Sequence, residues 1–415
     1  MLGTLQPKFQ RYHRMITVLL QGFSSGLPLA LTGTALQAWF TQAGVDIVTI
    51  GLLALVGQPY IYKFVWAPLM DRYAIPGLGR RRGWMLLTQI ALIISISIMA
   101  CLSPIEHTAT LAFVALFTAF LSASQDTAID AYRVDLLPIE ERGLGVAMSV
   151  AGYRTAMFAS GSLSLIFAAY WGWQVTYIIM AGLMLVGIVA TFFSPILESD
   201  VPPQTLRQAI VEPWREFISR EKALLVLVLI LFYKLAEAFT STWGPLTNTF
   251  LLRGIGFDLV TVATVNKGMG LLANILGVFA GGLLLTRMSL YRSLLLFGIA
   301  QVLANLTFLM LALVGKQLNV LILAVSIDNF TSGMGTAAVI ALIMSLCHPR
   351  YSATQFALLS AVAALPRVVV GPLGALIVKF ASWVSLFIWA SILALPALGI
   401  LYLLREQVKG LATAP

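Results

Sequence analysis

Long, continuous apolar stretches recur along the chain and limit its fold more than any other feature. Hydrophobic residues make up 59% of the 415 residues and charged residues 10%, whereas soluble domains are about 45–50% apolar and about 25% charged. A soluble enzyme would leave these stretches without a side that faces water, and a disordered chain would carry more charge. Because roughly 20 apolar residues cross a bilayer as one helix, the length allows about ten to fourteen spans. The stretches are too long for the ~10-residue alternating strands of a membrane barrel, so we predict an all-α membrane protein.

Twelve candidate spans can be placed. They cover residues 16–38, 48–70, 83–102, 109–131, 143–169, 174–195, 222–251, 258–285, 290–314, 318–346, 352–380 and 382–404. The connections are short except for the polar segment 196–221, which divides six spans from six. We therefore predict an N-terminal six-helix bundle at 1–195, a cytoplasmic linker at 196–221 and a C-terminal six-helix bundle at 222–415.

The linker has an amphipathic pattern. Apolar residues recur at helical spacing beside three arginines; the residues are Leu206, Ile210, Trp214, Phe217, Arg207, Arg215 and Arg220. This pattern is typical of a helix that lies on a membrane surface. A plain solvated linker remains open as the alternative.

The distribution of lysine and arginine indicates the topology. With a cytoplasmic N-terminus, 18 of the 26 lysines and arginines fall in inside loops and 3 in outside loops, and the remaining five lie within spans. Basic residues concentrate in cytoplasmic loops, so we expect an even number of spans and both termini in the cytoplasm. We attribute the net charge of +9 to this topology rather than to nucleic-acid binding.

Few residue types for catalysis are present. The three histidines lie near loops, and the sequence has neither a metal-ligand cluster nor a Walker phosphate loop. We therefore expect no enzyme activity, no cofactor and no ATP-driven transport. Cys101 and Cys347 lie in different halves, which favours a core role over a disulfide. Channels use filter rings, which we do not find, so a monomeric secondary transporter is the remaining class.

Ionisable residues inside spans are costly and usually functional. The chain has nine deep positions of this kind: Lys63, Asp126, Asp130, Arg154, Lys234, Glu237, Lys267, Asp328 and Arg367. Helix geometry places Asp126 and Asp130 on one face, and Lys234 and Glu237 on another. A lone buried carboxylate is protonated or paired across helices. Asp126 has no basic neighbour within a turn, so it is our candidate proton carrier, together with Asp130.

Each position has a structural alternative. Lys234 and Glu237 could simply neutralise one another. Asp130, Arg133 and Asp135 approach the membrane boundary and could form a salt-bridge network that closes a loop. Lys63 and Arg367 could extend to the membrane surface, although both lie deep in the sequence of their spans.

The deep charges are cationic on balance. If they share one cavity, it suits an anionic solute whose carboxylates or phosphates pair with lysine and arginine. Amides and aromatic rings nearby fit a solute that contains sugar, although some of the rings are also typical of the interfacial belt. Besides the charged residues, we expect Gln58, Tyr62 and Gln125 to contact the solute.

The loop after the second span has an ordered pattern of charge. It contains Asp71-Arg72, then Gly79-Arg80-Arg81-Arg82. This pattern resembles the loop signature G-x-L-x-D-R-x-G-R-R of the major facilitator superfamily, with Ala67-Pro68 in place of the first glycine and an insertion before the arginines. We expect Asp71, Arg72, Arg80 and Arg81 to act in gating, with Asp71 at a helix N-terminus or paired with an arginine.

Further segments resemble one branch of that superfamily. They are Gly22-Phe-Ser-Ser-Gly-Leu-Pro28, Val56-Gly-Gln58-Pro-Tyr60, Ser122-Ala-Ser-Gln125-Asp126-Thr-Ala-Ile-Asp130-Ala-Tyr-Arg133, Phe250-Leu-Leu-Arg253, Val265-Asn266-Lys267 and Ser352-Ala-Thr-Gln355. Together they resemble the AmpG-type muropeptide permeases over almost the whole chain.

The resemblance implies a major facilitator fold and a proton-driven importer in the bacterial inner membrane. Members of the family carry anhydromuropeptides, the disaccharide-peptides of cell-wall recycling, and so contribute to β-lactamase induction and antibiotic resistance. The carboxylate of the family's fourth span falls on Asp126. Two alternatives stay open: another anionic solute, such as a carboxylate siderophore or a coenzyme A thioester, and a receptor that transports nothing.

Overall fold

The computed structural model describes residues 5–45, 49, 53–195, 205–240, 245–258 and 261–411. Regular structure in these ranges is helical, apart from an isolated β-bridge between Ile75 and Gly79. Within the described ranges, eight stretches are long and apolar enough to cross a membrane: Phe9–Phe40, Arg80–Ala100, Thr108–Leu136, Ile139–Phe193, Thr264–Leu285, Leu290–Val314, Leu318–Leu346 and Trp383–Leu403. The all-α membrane fold predicted from the sequence is therefore confirmed.

The first part of the chain contains both long helices and short turns. The α-helices are Leu5–Ala30, Leu36–Gln42, Pro59–Tyr62, Ala67–Arg72, Arg80–Ala100, Thr108–Leu136, Arg142–Phe158, Ser164–Leu183, Leu185–Phe193 and Leu206–Ile218. Short 3₁₀ or π turns lie at Leu31–Ala35, Leu53–Gly57, Lys63–Val65, Ile139–Glu141 and Ala159–Leu163.

From residue 223 onward, the chain again combines long helices with short ones. Its α-helices are Ala223–Ala238, Pro245–Thr249, Gly270–Leu285, Leu290–Val314, Leu318–Leu346, Ser352–Phe380, Trp383–Leu403 and Arg405–Gly410. The π turns Phe250–Ile255 and Val262–Met269 and the 3₁₀ turn Pro349–Tyr351 connect or extend them.

Two predicted spans are not single helices. The span predicted at 48–70 consists, from residue 53 onward, of short α- and 3₁₀-helices that end at Arg72. Pro59 and Pro68 each lie in the first turn of a short helix, where proline's missing N–H costs nothing but where it cannot continue an earlier helix. The span predicted at 222–251 is divided at residues 241–244, which lie outside the described ranges.

One long stretch contains two spans. Ile139–Phe193 is 55 residues long, too long for one crossing at about 1.5 Å per residue. Gly172 divides it with a φ of 79°, a conformation that glycine adopts without steric cost. With this division, the two broken spans and the Ser352–Phe380 helix, the described chain provides the twelve segments of the predicted architecture.

Three successive elements repeat along the sequence. The Thr108–Leu136 helix, the Ile139–Glu141 turn and the helix that begins at Arg142 have counterparts that begin at 318, 349 and 352. Each counterpart begins 210 residues later, from 108 to 318, 139 to 349 and 142 to 352. Such a repeat is typical of transporters built from two related halves.

The described chain divides into two compact units. Unit 1 contains Met1–Leu137, Met148–Arg215 and Cys347–Leu358, and unit 2 contains Pro138–Ala147, Glu216–Leu346 and Leu359–Pro415. The main boundary falls within the Leu206–Ile218 helix, inside the predicted linker. The placement of 138–147 and 347–358 has no counterpart in the division expected from the sequence.

Each unit has its own apolar core and closely packed helices. In unit 1, Leu27, Phe40, Leu92 and Tyr177 belong to one buried cluster. In unit 2, Phe250, Phe308, Leu311 and Phe387 belong to another. Small residues let helix backbones approach in membranes, and several glycines in both units leave no room for a side chain.

Candidate functional site

Asp126 lies in the interior of unit 1. It is 9% exposed, and its Oδ1 accepts a hydrogen bond from the Ser25 hydroxyl of the first helix. Among the described side chains, no cation lies within ion-pair distance of its carboxylate. The Ser25 hydroxyl can donate to a carboxylate or accept from a carboxylic acid. Asp126 therefore has a partner that serves both of its protonation states.

The neighbouring residues extend this contact between the two helices. Gln125 is fully buried, and its Nε2 donates to Ser24 Oγ at 2.5 Å. Consecutive residues of the Thr108–Leu136 helix thus contact consecutive serines of the Leu5–Ala30 helix. Ser24 and Ser25 were not among the residues predicted for the site. They stand out in the sequence as two adjacent hydroxyl residues in an apolar span, within the Gly22–Pro28 segment that resembles the AmpG-type permeases.

Asp130, one turn from Asp126, has a different environment. Its Oδ1 pairs with Arg133 Nη2 at 2.7 Å and its Oδ2 with Lys63 Nζ at 3.4 Å. Arg133 also donates to the Ser149 hydroxyl at 2.7 Å. Lys63 is 9% exposed, so its ammonium group is held by Asp130 rather than extended into solvent. The two carboxylates of one helix face are therefore distinguished by their partners.

A second polar cluster of unit 1 surrounds Asp71, which is fully buried. Its Oδ1 accepts the N–H of Ala353 at 3.2 Å, and its Oδ2 accepts the N–H and the hydroxyl of Thr354 at 2.8 and 2.6 Å. Arg81 Nη1 lies 2.9 Å from Asp71 Oδ1. Asp71 thus makes both contacts expected from the sequence, a helix N-terminus and an arginine.

Arg81 joins Asp71 to a further carboxylate. Its Nε pairs with Asp135 Oδ2 at 2.8 Å, and its Nη2 donates to the Ser352 hydroxyl at 2.6 Å. The Ser352 hydroxyl in turn donates to Asp135 Oδ1 at 2.8 Å. Asp135 therefore belongs to this cluster and not to a single network with Asp130 and Arg133.

The other two predicted gating residues are close by. Arg80 Nη1 donates to the backbone carbonyls of Asp71 and Arg350, at 3.1 and 3.4 Å. Arg72 lies over the ring of Tyr73, 5.4 Å from the ring centre. Arg80 thus donates to backbone carbonyls of the cluster, whereas Arg72 lies over the exposed ring of Tyr73.

Unit 2 contains an ion pair within one helix. Lys234 Nζ lies 2.6 Å from Glu237 Oε2 and donates to the Thr336 hydroxyl at 3.0 Å. The two charged residues are i and i+3 on the Ala223–Ala238 helix, as the sequence predicts. The alternative left open above, that Lys234 and Glu237 neutralise one another, therefore agrees with this ion pair.

Asp328 is held by uncharged groups in unit 2. It is 1% exposed, and its Oδ1 accepts from Thr240 Oγ1 at 2.6 Å and from Gln301 Nε2 at 3.1 Å. Its Oδ2 has no hydrogen-bond partner in the described part of the chain. Asn305 completes the network, with Nδ2 donating to the carbonyls of Ala236 and Ala390. Asp328 was predicted from the sequence, but its partners Thr240 and Gln301 and the adjoining Asn305 were not.

The remaining predicted solute contacts differ in exposure. Gln58 is partly buried and Tyr62 is 52% exposed. Arg154 is partly buried, with Nη1 3.8 Å from Met157 Sδ. The side chains of Lys267 and Arg367 lie outside the described part of the structure. The prediction that the deep cations share one cavity stays a prediction.

Relatives of known name match the chain over most of its length. It is 47% identical to the anhydromuropeptide permease of Escherichia coli K12, over 95% of this chain and 80% of that protein. It is 31% identical to the putative transporter AmpG 4 of Rickettsia felis, over 98% of this chain and all of that protein.

Solved structures share the fold at low sequence identity. The outward conformation of the transporter FucP matches with a TM-score of 0.70 and 14% identity, over 96% of this chain and 98% of that chain. A bacterial homologue of ferroportin in the outward-facing state matches with a TM-score of 0.73 and 12% identity, over 96% and 99%. These likenesses show the fold alone.

The profile of the Major Facilitator Superfamily matches residues 18–371, more than three quarters of the chain. The resemblance stated from the sequence motifs is thus confirmed by alignment over nearly the whole length. The chain is a multi-pass membrane transporter and not an enzyme; it belongs to the major facilitator superfamily and, within it, to the AmpG-type family.

Proposed function

We propose that this transporter imports anhydromuropeptides into the bacterial cytoplasm and that the proton gradient drives the import. The 47% identity to the Escherichia coli anhydromuropeptide permease supports anhydromuropeptide as the solute. The proposal includes location in the inner membrane, cytoplasmic termini and a role in peptidoglycan recycling, and hence in β-lactamase induction.

The environment of Asp126 is the observation that carries proton coupling. A carboxylate taken out of water without a cation is costly in its ionised form, and among the described residues the Ser25 hydroxyl is the hydrogen-bond partner of Asp126. Alternating access would expose it in turn to the two sides of the membrane. It would bind a proton outside and release it inside.

Asp130 supports this role without carrying the proton. It already forms two ion pairs, with Arg133 and Lys63, which a proton on its carboxylate would disrupt. When Asp126 loses its proton, Lys63 could shift from Asp130 towards the new negative charge. Asp130 and Lys63 would thus link the protonation of Asp126 to the position of a cation.

The solute's carboxylates require cations. Arg154, Lys63, Lys234, Lys267 and Arg367 are the proposed donors, with Gln58, Tyr62 and Gln125 for the sugar, and Glu237 and Asp328 as acidic partners. A proton on Asp126 would offset part of the solute's negative charge during the crossing. Because the cations would pair with the solute's carboxylates, an uncharged analogue of the solute should bind more weakly.

Uptake into proteoliposomes tests the proposal. The purified protein is given radiolabelled anhydromuropeptide, the free disaccharide or the free peptide, with and without an imposed pH gradient. We expect accumulation of the complete anhydromuropeptide only, and only with the gradient acid outside. Accumulation that is the same with and without the pH gradient would refute proton coupling. Uptake of a carboxylate siderophore or a coenzyme A thioester in place of anhydromuropeptide would refute anhydromuropeptide as the solute.

A further inference from the structure

The Leu206–Ile218 helix carries two apolar stripes, and the described part of the protein buries one of them and leaves the other exposed. Ala209, Pro213 and Phe217 recur every fourth residue and are buried. Leu206, Ile210, Trp214 and Ile218 recur at the same spacing and are 40%, 45%, 40% and 65% exposed. We call this second stripe, with the neighbouring Val211, the outer stripe. The helix packs one apolar face against the protein, so its second apolar face is available to another partner.

The helix is fixed to the protein by polar contacts on its inner side. At its start, the side chains of Thr205 and Gln208 each accept a hydrogen bond from the backbone N–H of the other residue, a capping box that stabilises the first turn. Glu212 accepts a hydrogen bond from the Tyr351 hydroxyl, and the Pro213 carbonyl accepts from Gln355 Nε2 at 3.2 Å. The outer stripe is therefore held in a defined orientation.

The charges of the helix are divided between the same two sides. Glu212 binds Tyr351, and Glu216 pairs with Arg220 at 2.8 Å, so both acidic side chains are engaged with the protein. Arg207 and Arg215 are exposed, and neither forms an ion pair with a described residue. An apolar stripe flanked by free arginines matches a surface of apolar chains beneath anionic headgroups.

The position of the helix agrees with such a surface. It follows the span that ends at Phe193 and precedes the span that begins at Ala223. Its partners Tyr351 and Gln355 lie where another membrane helix, Ser352–Phe380, begins. The outer stripe therefore lies beside the ends of predicted spans, where a membrane surface is expected.

We propose that the Leu206–Ile218 helix docks on the adjacent membrane leaflet, with its outer stripe among the acyl chains and Arg207 and Arg215 on anionic phospholipid headgroups. The proposal is independent of the solute and of proton coupling. It assigns to the linker the recognition of anionic lipid, in addition to its role as a connection.

Lipid-borne quenchers test the proposal in the full-length protein. The protein is placed in phosphatidylcholine vesicles that contain a fixed fraction of brominated phosphatidylcholine or brominated phosphatidylglycerol. The Trp214 signal is the wild-type fluorescence minus that of Trp214→Phe. We expect quenching by both brominated lipids, and more by phosphatidylglycerol. The headgroup preference should fall by about fivefold for each arginine removed in Arg207→Gln/Arg215→Gln.

Two controls accompany this measurement. Trp171, 58% exposed on a membrane helix, should be quenched by both lipids alike, and an unchanged Trp171 signal shows that each variant is folded. Arg405→Gln/Lys409→Gln removes the same charge from the Arg405–Gly410 helix and should leave the preference of Trp214 intact.

Three results would overturn the proposal. The first is a Trp214 that aqueous iodide quenches and brominated lipid does not, which would indicate water or a protein partner. The second is equal quenching by the two brominated lipids. The third is a headgroup preference that survives Arg207→Gln/Arg215→Gln.

Discussion

The Asp71 carboxylate accepts the backbone N–H of Thr354, 283 residues further along the chain, at 2.8 Å. It also accepts the N–H of Ala353, so it caps the N-terminus of the Ser352–Phe380 helix. The helix dipole favours a negative charge at that end. Arg81 lies on the same carboxylate at 2.9 Å. We interpret this cluster as a latch that forms in one state of the transport cycle and opens in another.

Asp71→Asn keeps the shape of the side chain and removes its charge. Hydrogen bonds to charged groups contribute about 1.5–3 kcal/mol, so weakening them should shift the balance of conformations by about tenfold or more. We expect a slower transport rate and nearly unchanged equilibrium binding of the solute, measured by uptake and by binding to the purified protein.

Thr354→Val is the matched control for Asp71→Asn. It removes the hydroxyl bond to Asp71 and retains the backbone N–H bond, so its effect on the rate should be smaller. Equal losses of uptake and binding in Asp71→Asn would indicate misfolding and would count against the latch.

Gly152 lies where the backbones of two helices of unit 1 nearly touch. A Cβ atom at this position would lie 2.0 Å from the Leu19 carbonyl oxygen, which is rigid backbone. Overpacking typically costs about 1–3 kcal/mol, so we expect Gly152→Ala to lower the melting temperature in detergent. Gly182 has no atom within 4 Å of such a Cβ, so Gly182→Ala should be neutral or stabilising. Equal melting temperatures of the two variants would contradict the close approach.

The polar network around Asp328 should contribute to stability. Asp328→Asn retains an oxygen that can accept from Thr240 and Gln301, whereas Asp328→Leu leaves these buried donors with fewer acceptors. An unsatisfied buried polar group costs about 1–3 kcal/mol. We expect Asp328→Leu to unfold at a lower temperature than Asp328→Asn, measured by tryptophan fluorescence. If both unfold alike, the hydrogen bonds to Oδ1 contribute little.

Charged residues of the site could be found from the sequence, and their uncharged partners could not. Asp126, Asp130, Lys234 and Glu237 stand out because an ionisable group in an apolar span is rare. Serine and threonine do not stand out, because they can bond to the carbonyl of their own helix four residues earlier. Thr118 does so with Val114, while Ser25 instead reaches Asp126 on another helix.

Contacts between distant segments and breaks in helices were also not predicted from the sequence. The pairing of Asp71 with Thr354 depends on where two remote helix ends meet, and one sequence carries no signal for that. The helical pieces of residues 53–72 could have been anticipated from Pro59 and Pro68, but their apolar composition favoured a continuous span.

Asp126 provides the sharpest prediction. It and Asp130 lie one turn apart on the same helix, yet Asp130 is paired with Arg133 and Lys63 and Asp126 is not paired with a described cation. Of these two carboxylates, Asp126 is therefore the one that can gain and lose a proton without breaking an ion pair seen among the described residues. Ser25→Ala, which removes its hydroxyl partner and keeps the carboxyl group, should alter the pH dependence of uptake and retain accumulation.

Asp126→Asn imitates the protonated carboxyl group and cannot release a proton. We expect this variant to bind solute and to exchange labelled for unlabelled solute across the membrane, because neither process requires net proton movement. Accumulation driven by an imposed pH gradient should be lost. The measurement is uptake and exchange in proteoliposomes prepared in parallel from wild type and Asp126→Asn. If Asp126→Asn still concentrates the solute in response to the gradient, the proton is carried elsewhere, and Glu237 or Asp328 becomes the candidate, because each is a buried carboxylate of unit 2.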